Sequence, residues 1–99
     1  MHLDTYVRLV KYQQLNILHN FYLAMEKKII SIIARILETE IDEIELDTAI
    51  GDLPEWDSLH HLNIIAELER EFGIKYAAED LAELEDVADL IALTKETIG

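Results

Sequence analysis

The chain has no cysteine, one proline and three glycines in its 99 residues. Without cysteine there can be no disulfide framework, thiolate metal site or cysteine nucleophile. The lack also fits a reducing compartment, so the cytoplasm is the expected location. Basic residues are scarce too, eight against 21 acidic ones, for a formal net charge of −13. Such a surface repels a phosphate backbone or an anionic membrane face and attracts basic protein surfaces, which disfavours nucleic acid as a partner. No run of about 18 uninterrupted apolar residues occurs, so no membrane span is expected. The length allows one domain burying roughly 60–65% of its unfolded surface, too little for a deep cleft between lobes. A monomer is expected.

The charge is uneven. Residues 1–37 hold five basic and two acidic residues (+3), and residues 38–99 hold three basic and nineteen acidic (−16). Four of the seven aromatics, Tyr6, Tyr12, Phe21 and Tyr22, precede Met25. Arg8, Lys11, Asn16, His19 and Asn20 interrupt every apolar run there, so the segment is no signal peptide. Residues 1–24 therefore read as an extension, and residues 25–99 as the domain proper. Two readings of the extension stand side by side. Met25 is the natural start behind an over-long reading frame, or the segment is a genuine extra helix with Tyr6, Val10, Ile17, Phe21 and Met25 near one stripe.

From Met25 onward the pattern predicts an all-α fold, a small four-helix bundle with a long first loop and a short third helix. Ile29, Ile30, Ile32, Ile33 and Ile36 give a helix from about Glu26 to Leu37 a wide apolar face. Residues 39–57 read as a loop pinned by Ile41, Ile44, Leu46, Ile50, Leu53 and Trp56. Asp57 is an N-cap type directly before a helical run from Ser58 to Phe72, and Gly73 with Ile74 suits a Schellman ending. A short helical turn over 78–83 and a last helix capped by Asp86 complete the chain. Period-two alternation is nowhere sustained.

The second helix carries the functional signal. With Leu59 at zero on the helical wheel, Ile64, Ile65, Leu68 and Phe72 fall between about 140° and 240°, toward a core. Leu62 and Ala66 lie near Leu59 on the opposite side, beside Glu69 and Arg70, and make a second, outward apolar stripe suited to protein recognition. Ser58 sits in the first turn, where free amides and the helix dipole favour an anion on its side chain. His61, at about 200°, faces the core side as a structural residue, while His60 faces outward. Other chemistries fit poorly. Neither histidine is spaced as a base for Ser58, and no glycine-rich turn presents the serine. The acids after Asp47 miss the EF-hand pattern at Ala49 and Gly51. His2, His19, His60 and His61 form no metal-ligand grouping, so no metal is expected.

Gly51-Asp52-Leu53, Trp56-Asp57-Ser58-Leu59 and then Leu62, Ile64, Ile65, Leu68, Glu69, Phe72, Gly73 and Ile74 resemble the central motif of acyl and peptidyl carrier proteins. The likeness extends over residues 25–98. It implies that a phosphopantetheinyl transferase attaches a 4′-phosphopantetheine arm from coenzyme A to Ser58, beside Asp57 and Leu59. The arm's thiol would carry an acyl or aminoacyl chain as a thioester, and the chain itself would catalyse nothing. The bundle interior between the helix-one isoleucines and Leu68 would harbour the cargo. Leu59, His60, Leu62, Asn63, Ala66, Glu69 and Arg70 would meet partner enzymes: the transferase, an acyl- or aminoacyl-loading ligase, and downstream transferases or synthases. His60, Asn63 and Arg70 stand where the fatty-acid-synthesis type commonly has acids. Together with Trp56 they make the chain more similar to stand-alone carriers of specialised pathways. The alternative is a helical adaptor of the same fold that carries no arm.

Overall fold

The first helix, α1, spans His2–Leu37. The computed structural model describes the backbone of residues 2–99 and the side chains of residues 7–11 and 13–99. The expectations resting on the side chains of His2, Tyr6 and Tyr12 lie outside the described residues. The helix was expected to start near Glu26; instead it crosses Met25 without a break. Nothing between Leu23 and Lys27 is a capping residue, and neither glycine nor proline precedes Gly51, so no local signal stops helix propagation. At 1.5 Å per residue, its 36 residues extend about 54 Å. That rod sets the shape of the molecule, 59 × 29 × 21 Å with a radius of gyration of 16.7 Å, against about 13 Å for a globule of this length.

Only the C-terminal part of α1 belongs to the core. Met25, Ile29, Ile32, Ile33 and Leu37 are buried there. They pack against Ile64, Ile65 and Leu68 of α2 (Ser58–Phe72) and Val87, Leu90 and Ile91 of α4 (Val87–Ile98). The expected short third helix is one turn, α3 (Ala78–Leu81). The expected caps are formed: the Asp86 side chain accepts from the Asp89 amide at 2.8 Å. Gly73 takes the left-handed conformation with φ 64°, and the Ile74 amide reaches back to the Glu69 carbonyl at 3.0 Å, as a Schellman ending requires. The one fully buried polar side chain among the described core residues, Thr94, donates to the Leu90 carbonyl and accepts from the Tyr76 hydroxyl at 2.8 Å.

The long loop, residues 38–57, is more structured than the sequence suggested. It contains a 3-10 turn over Ile41–Glu43, and its second half pairs with the entry to α4. The Ile50 amide donates to the Glu85 carbonyl, Val87 to Thr48 and Ala88 to Leu46, all at 2.9–3.0 Å around an isolated bridge between Ala49 and Asp86. Ile44 and Trp56 are buried and Ile50 and Leu53 half-buried. Leu46 stays exposed, and Ile41, though also largely exposed, borders a hollow on α1 beside Ala24, Lys27 and Ile30.

Leu68 is fully buried between α1 and α4. Leu68→Ala is therefore expected to lower unfolding free energy by about 2–5 kcal/mol in urea titration, leaving a cavity that the rigid isoleucine face cannot fill. Gly73→Ala should cost about 1 kcal/mol, because its added Cβ meets no atom and the penalty is conformational alone.

Candidate functional site

Trp56 and Asp57 fix where α2 begins. Trp56 is buried, and its indole N–H donates to Nδ1 of His61 at 3.1 Å. Asp57, in extended conformation, accepts from the His60 amide at 2.9 Å, and its Oδ1 lies 2.7 Å from His60 Nδ1. Ser58 is thereby the first helical residue, exposed, with its own amide and that of Leu59 unclaimed by the helix. The His60 amide, reinforced by its ring, holds the Asp57 carboxyl below the ordinary carboxylate value. The carboxylate is thus engaged in closing the first turn, and the adjacent Ser58 hydroxyl is left exposed.

A hollow of about 350 Å³ opens beside Ser58, lined by Ile50, Gly51, Trp56, Asp57, Ser58 and His61. The loop turns there at Gly51, φ 94°, a conformation side chains resist. Because an indole nitrogen only donates, His61 Nδ1 must accept, and the ring proton of the neutral imidazole sits on Nε2. Burial holds His61 below its ordinary value and keeps it neutral. Sequence reasoning placed His61 on the core side but missed its bond to Trp56. The signal available was the five-residue separation, which brings the residue before a cap onto the first turn.

The outward stripe is as the wheel predicted for Leu59 and Leu62, 64% and 65% exposed, with Asn63, Ala66 and Arg70 exposed around them. His60 is half-covered and engaged with Asp57. Glu69 departs from expectation: its carboxylate turns from the stripe to accept from the Tyr76 amide at 2.9 Å, because the chain folds back after Gly73 and that amide needs an acceptor. Arg70 pairs with Glu67, which also receives Arg35 from α1, so its charge is partly spent within the molecule. The interior expected to harbour cargo is filled, with Ile29, Ile33, Ile64 and Leu68 showing no exposed surface. The hollow beside Ser58 is the space adjoining the hydroxyl. Among the described residues, no group of three or more acidic or histidine side chains could hold a metal ion, and no helix is long and apolar enough to cross a membrane.

Residues 27–94 match the family model described as "Phosphopantetheine attachment site". The chain belongs to the acyl carrier family. It is 33% identical over 72 residues to an acyl carrier protein of Rickettsia bellii strain RML369-C, covering 73% of this chain and 84% of that one. It is 38% identical over 66 residues to an acyl carrier protein homolog of Mycoplasma pneumoniae, covering 67% and 77%. The solution structure of holo acyl carrier protein from Geobacter metallireducens superposes with a TM-score of 0.68 at 28% identity, over 75% of this chain and 85% of that one. This carrier works through covalently bound 4′-phosphopantetheine. The expected fold class, four helices with a long first loop and a short third helix, holds. An exposed serine at a helix N-terminus suits such a phosphodiester.

The half-buried, neutral His61 predicts a pH dependence. Below about pH 6.5 the unfolded chain takes up a proton that folded His61 refuses, so stability falls with pH until the folded imidazole also protonates. Ring titration by NMR should give His61 a midpoint below 6.5, with the Nε2-protonated tautomer. The stability loss between pH 7 and 5.5 should be smaller in His61→Phe than in the wild type. A midpoint at or above 6.5 would contradict the Trp56 bond.

Proposed function

We propose that Ser58 is the attachment point of the 4′-phosphopantetheine arm and that residues 25–99 form the carrier domain, with the preceding helical segment an extension of it. What carries this reading is the exposed Ser58 hydroxyl at the first position of α2, flanked by the capping Asp57 and followed by the exposed Leu59 and Leu62. When bound, the arm supplies a thiol at the end of a long flexible tether, which holds an acyl or aminoacyl group as a thioester. The chain's residues orient and present that tether. The N-terminal end of α2 favours an anion at the attachment oxygen, Asp57 with His60 keeps the turn closed, and the Leu59 and Leu62 stripe offers apolar contact to enzymes. The formal charge of −13 speeds encounter with basic enzyme surfaces at low salt. The partners on this reading are a phosphopantetheinyl transferase, a loading ligase and downstream transferases or synthases, in the cytoplasm. The chain itself catalyses no step. Trp56, His60, Asn63 and Arg70 favour a specialised stand-alone carrier over the general fatty-acid type.

Incubation with coenzyme A and a broad-specificity transferase should add one phosphopantetheine unit to the intact mass. Ser58→Ala should gain none while keeping its helical content. Absence of any gain in the wild type would remove this reading. Leu62→Glu, on an exposed position, should leave the fold intact and slow modification by about tenfold.

A further inference from the structure

The largest unexplained feature is the part of α1 that runs ahead of the bundle. Its link to the body ends at Tyr22, which packs on the core edge with Lys95 5.1 Å from its ring centre, while Lys95 also meets Glu26 at 2.9 Å. Among the described residues before that point, Val7, Leu15, Ile17, Leu18 and Phe21 are 46–68% exposed. A helix of about twenty residues this exposed is marginal in water, and packing normally supplies the difference.

The residues of this segment have an order. Val7, Val10, Gln14, Ile17, Phe21 and Ala24 follow one another at spacings of three and four, the seam of a two-stranded coiled coil. The seam ends at a hollow of about 300 Å³ between Phe21, Ala24 and Phe72, where the rod enters the body. We propose that the seam is occupied by the same segment of a second copy, running antiparallel. This departs from the monomer that the chain's size suggests, and it takes the segment as a genuine part of the folded chain.

Charge selects the occupant and the direction. The body carries nearly all of the acidity, −16 over residues 38–99, so it repels an anionic lipid surface, and a parallel pair would set two such bodies side by side. An antiparallel pair overlapping over residues 7–24 separates them by about 26 Å of helix, well beyond the screening length of roughly 8 Å. It also brings the cationic Arg8 and Lys11 of each copy toward the acidic body of the other. In that register Val7 meets Ala24 and Val10 meets Phe21. The polar seam residue, Gln14, lies about 4.5 Å along the axis from its mate, close enough for two amides to hydrogen-bond and fix the register. A specific pair needs roughly 1,200 Å² of buried surface in all, so the seam must be used along its whole length.

Light scattering of the full chain from about 1 µM to about 0.3 mM should show a concentration-dependent doubling of mass. Ile17→Glu, on the seam, should be monomeric over that range. Leu9→Glu, equally exposed but off the seam, should dimerise like the wild type. Circular dichroism and transferase modification report that each variant is folded. The absence of native cysteine allows a direct test of direction: Val7→Cys chains mixed with Ala24→Cys chains should form a disulfide-linked pair on oxidation, and neither should do so alone. A monomer throughout, whether or not it sediments with anionic lipid vesicles, overturns the proposal. So does an Ile17→Glu dimer, or Val7→Cys linking to itself.

Discussion

The Asp57 carboxylate on the His60 amide is the constraint from which the site follows. A helix can begin only where its first amides find acceptors, and the residue that supplies one fixes the rotational phase of everything after it. With Asp57 outside the helix, Ser58 becomes its first residue. Ile64, Ile65 and Leu68 then face α1, and Leu59 and Leu62 face water. A slip of α2 by one residue against α1 would turn the whole wheel by about 100° and bring the outward stripe toward the core. Trp56, buried on the other side of the cap, makes such a slip costly because it would have to leave its pocket and its bond to His61.

The rest of the fold holds that helix still. The isoleucine face of α1 offers a stiff, branched surface on which α2 and α4 both pack, so two helices of modest length are ordered by one longer rod. The long loop would otherwise be a slack connection below the serine. Its three backbone bonds to the entry of α4 convert it into one wall of the hollow beside Ser58. The acidic surface does not oppose this arrangement strongly, because most of its carboxylates are exposed and separated, and several close a cap or a turn: Asp52, Asp57, Asp86 and Asp89 all accept from backbone amides.

A carrier must keep its attachment point accessible while offering several enzymes the same surface, and with Ser58 as the proposed attachment point the two tasks would separate along α2. The first turn would favour the anion through its dipole. Leu59 in that turn and Leu62 in the next would offer apolar contact. The C-terminal turn is tied down, with Glu69 serving the chain reversal and Glu67 gathering Arg70 and Arg35. On the proposed reading, recognition would be concentrated near the serine.

Sequence by itself determined the helical class, the caps at Asp57, Gly73 and Asp86, the core faces of α1 and α2, and the exposure of Ser58, Leu59 and Leu62. Each of these rests on a local rule, either the 3.6-residue period or the need of a helix terminus for a partner. Tertiary structure alone decided that Glu69 leaves the outward stripe for the Tyr76 amide and that the loop pairs with α4. It also decided that the interior is filled while a hollow opens beside the serine. These depend on which groups meet across long separations in the chain, and on how much room close packing leaves, quantities that no local period encodes.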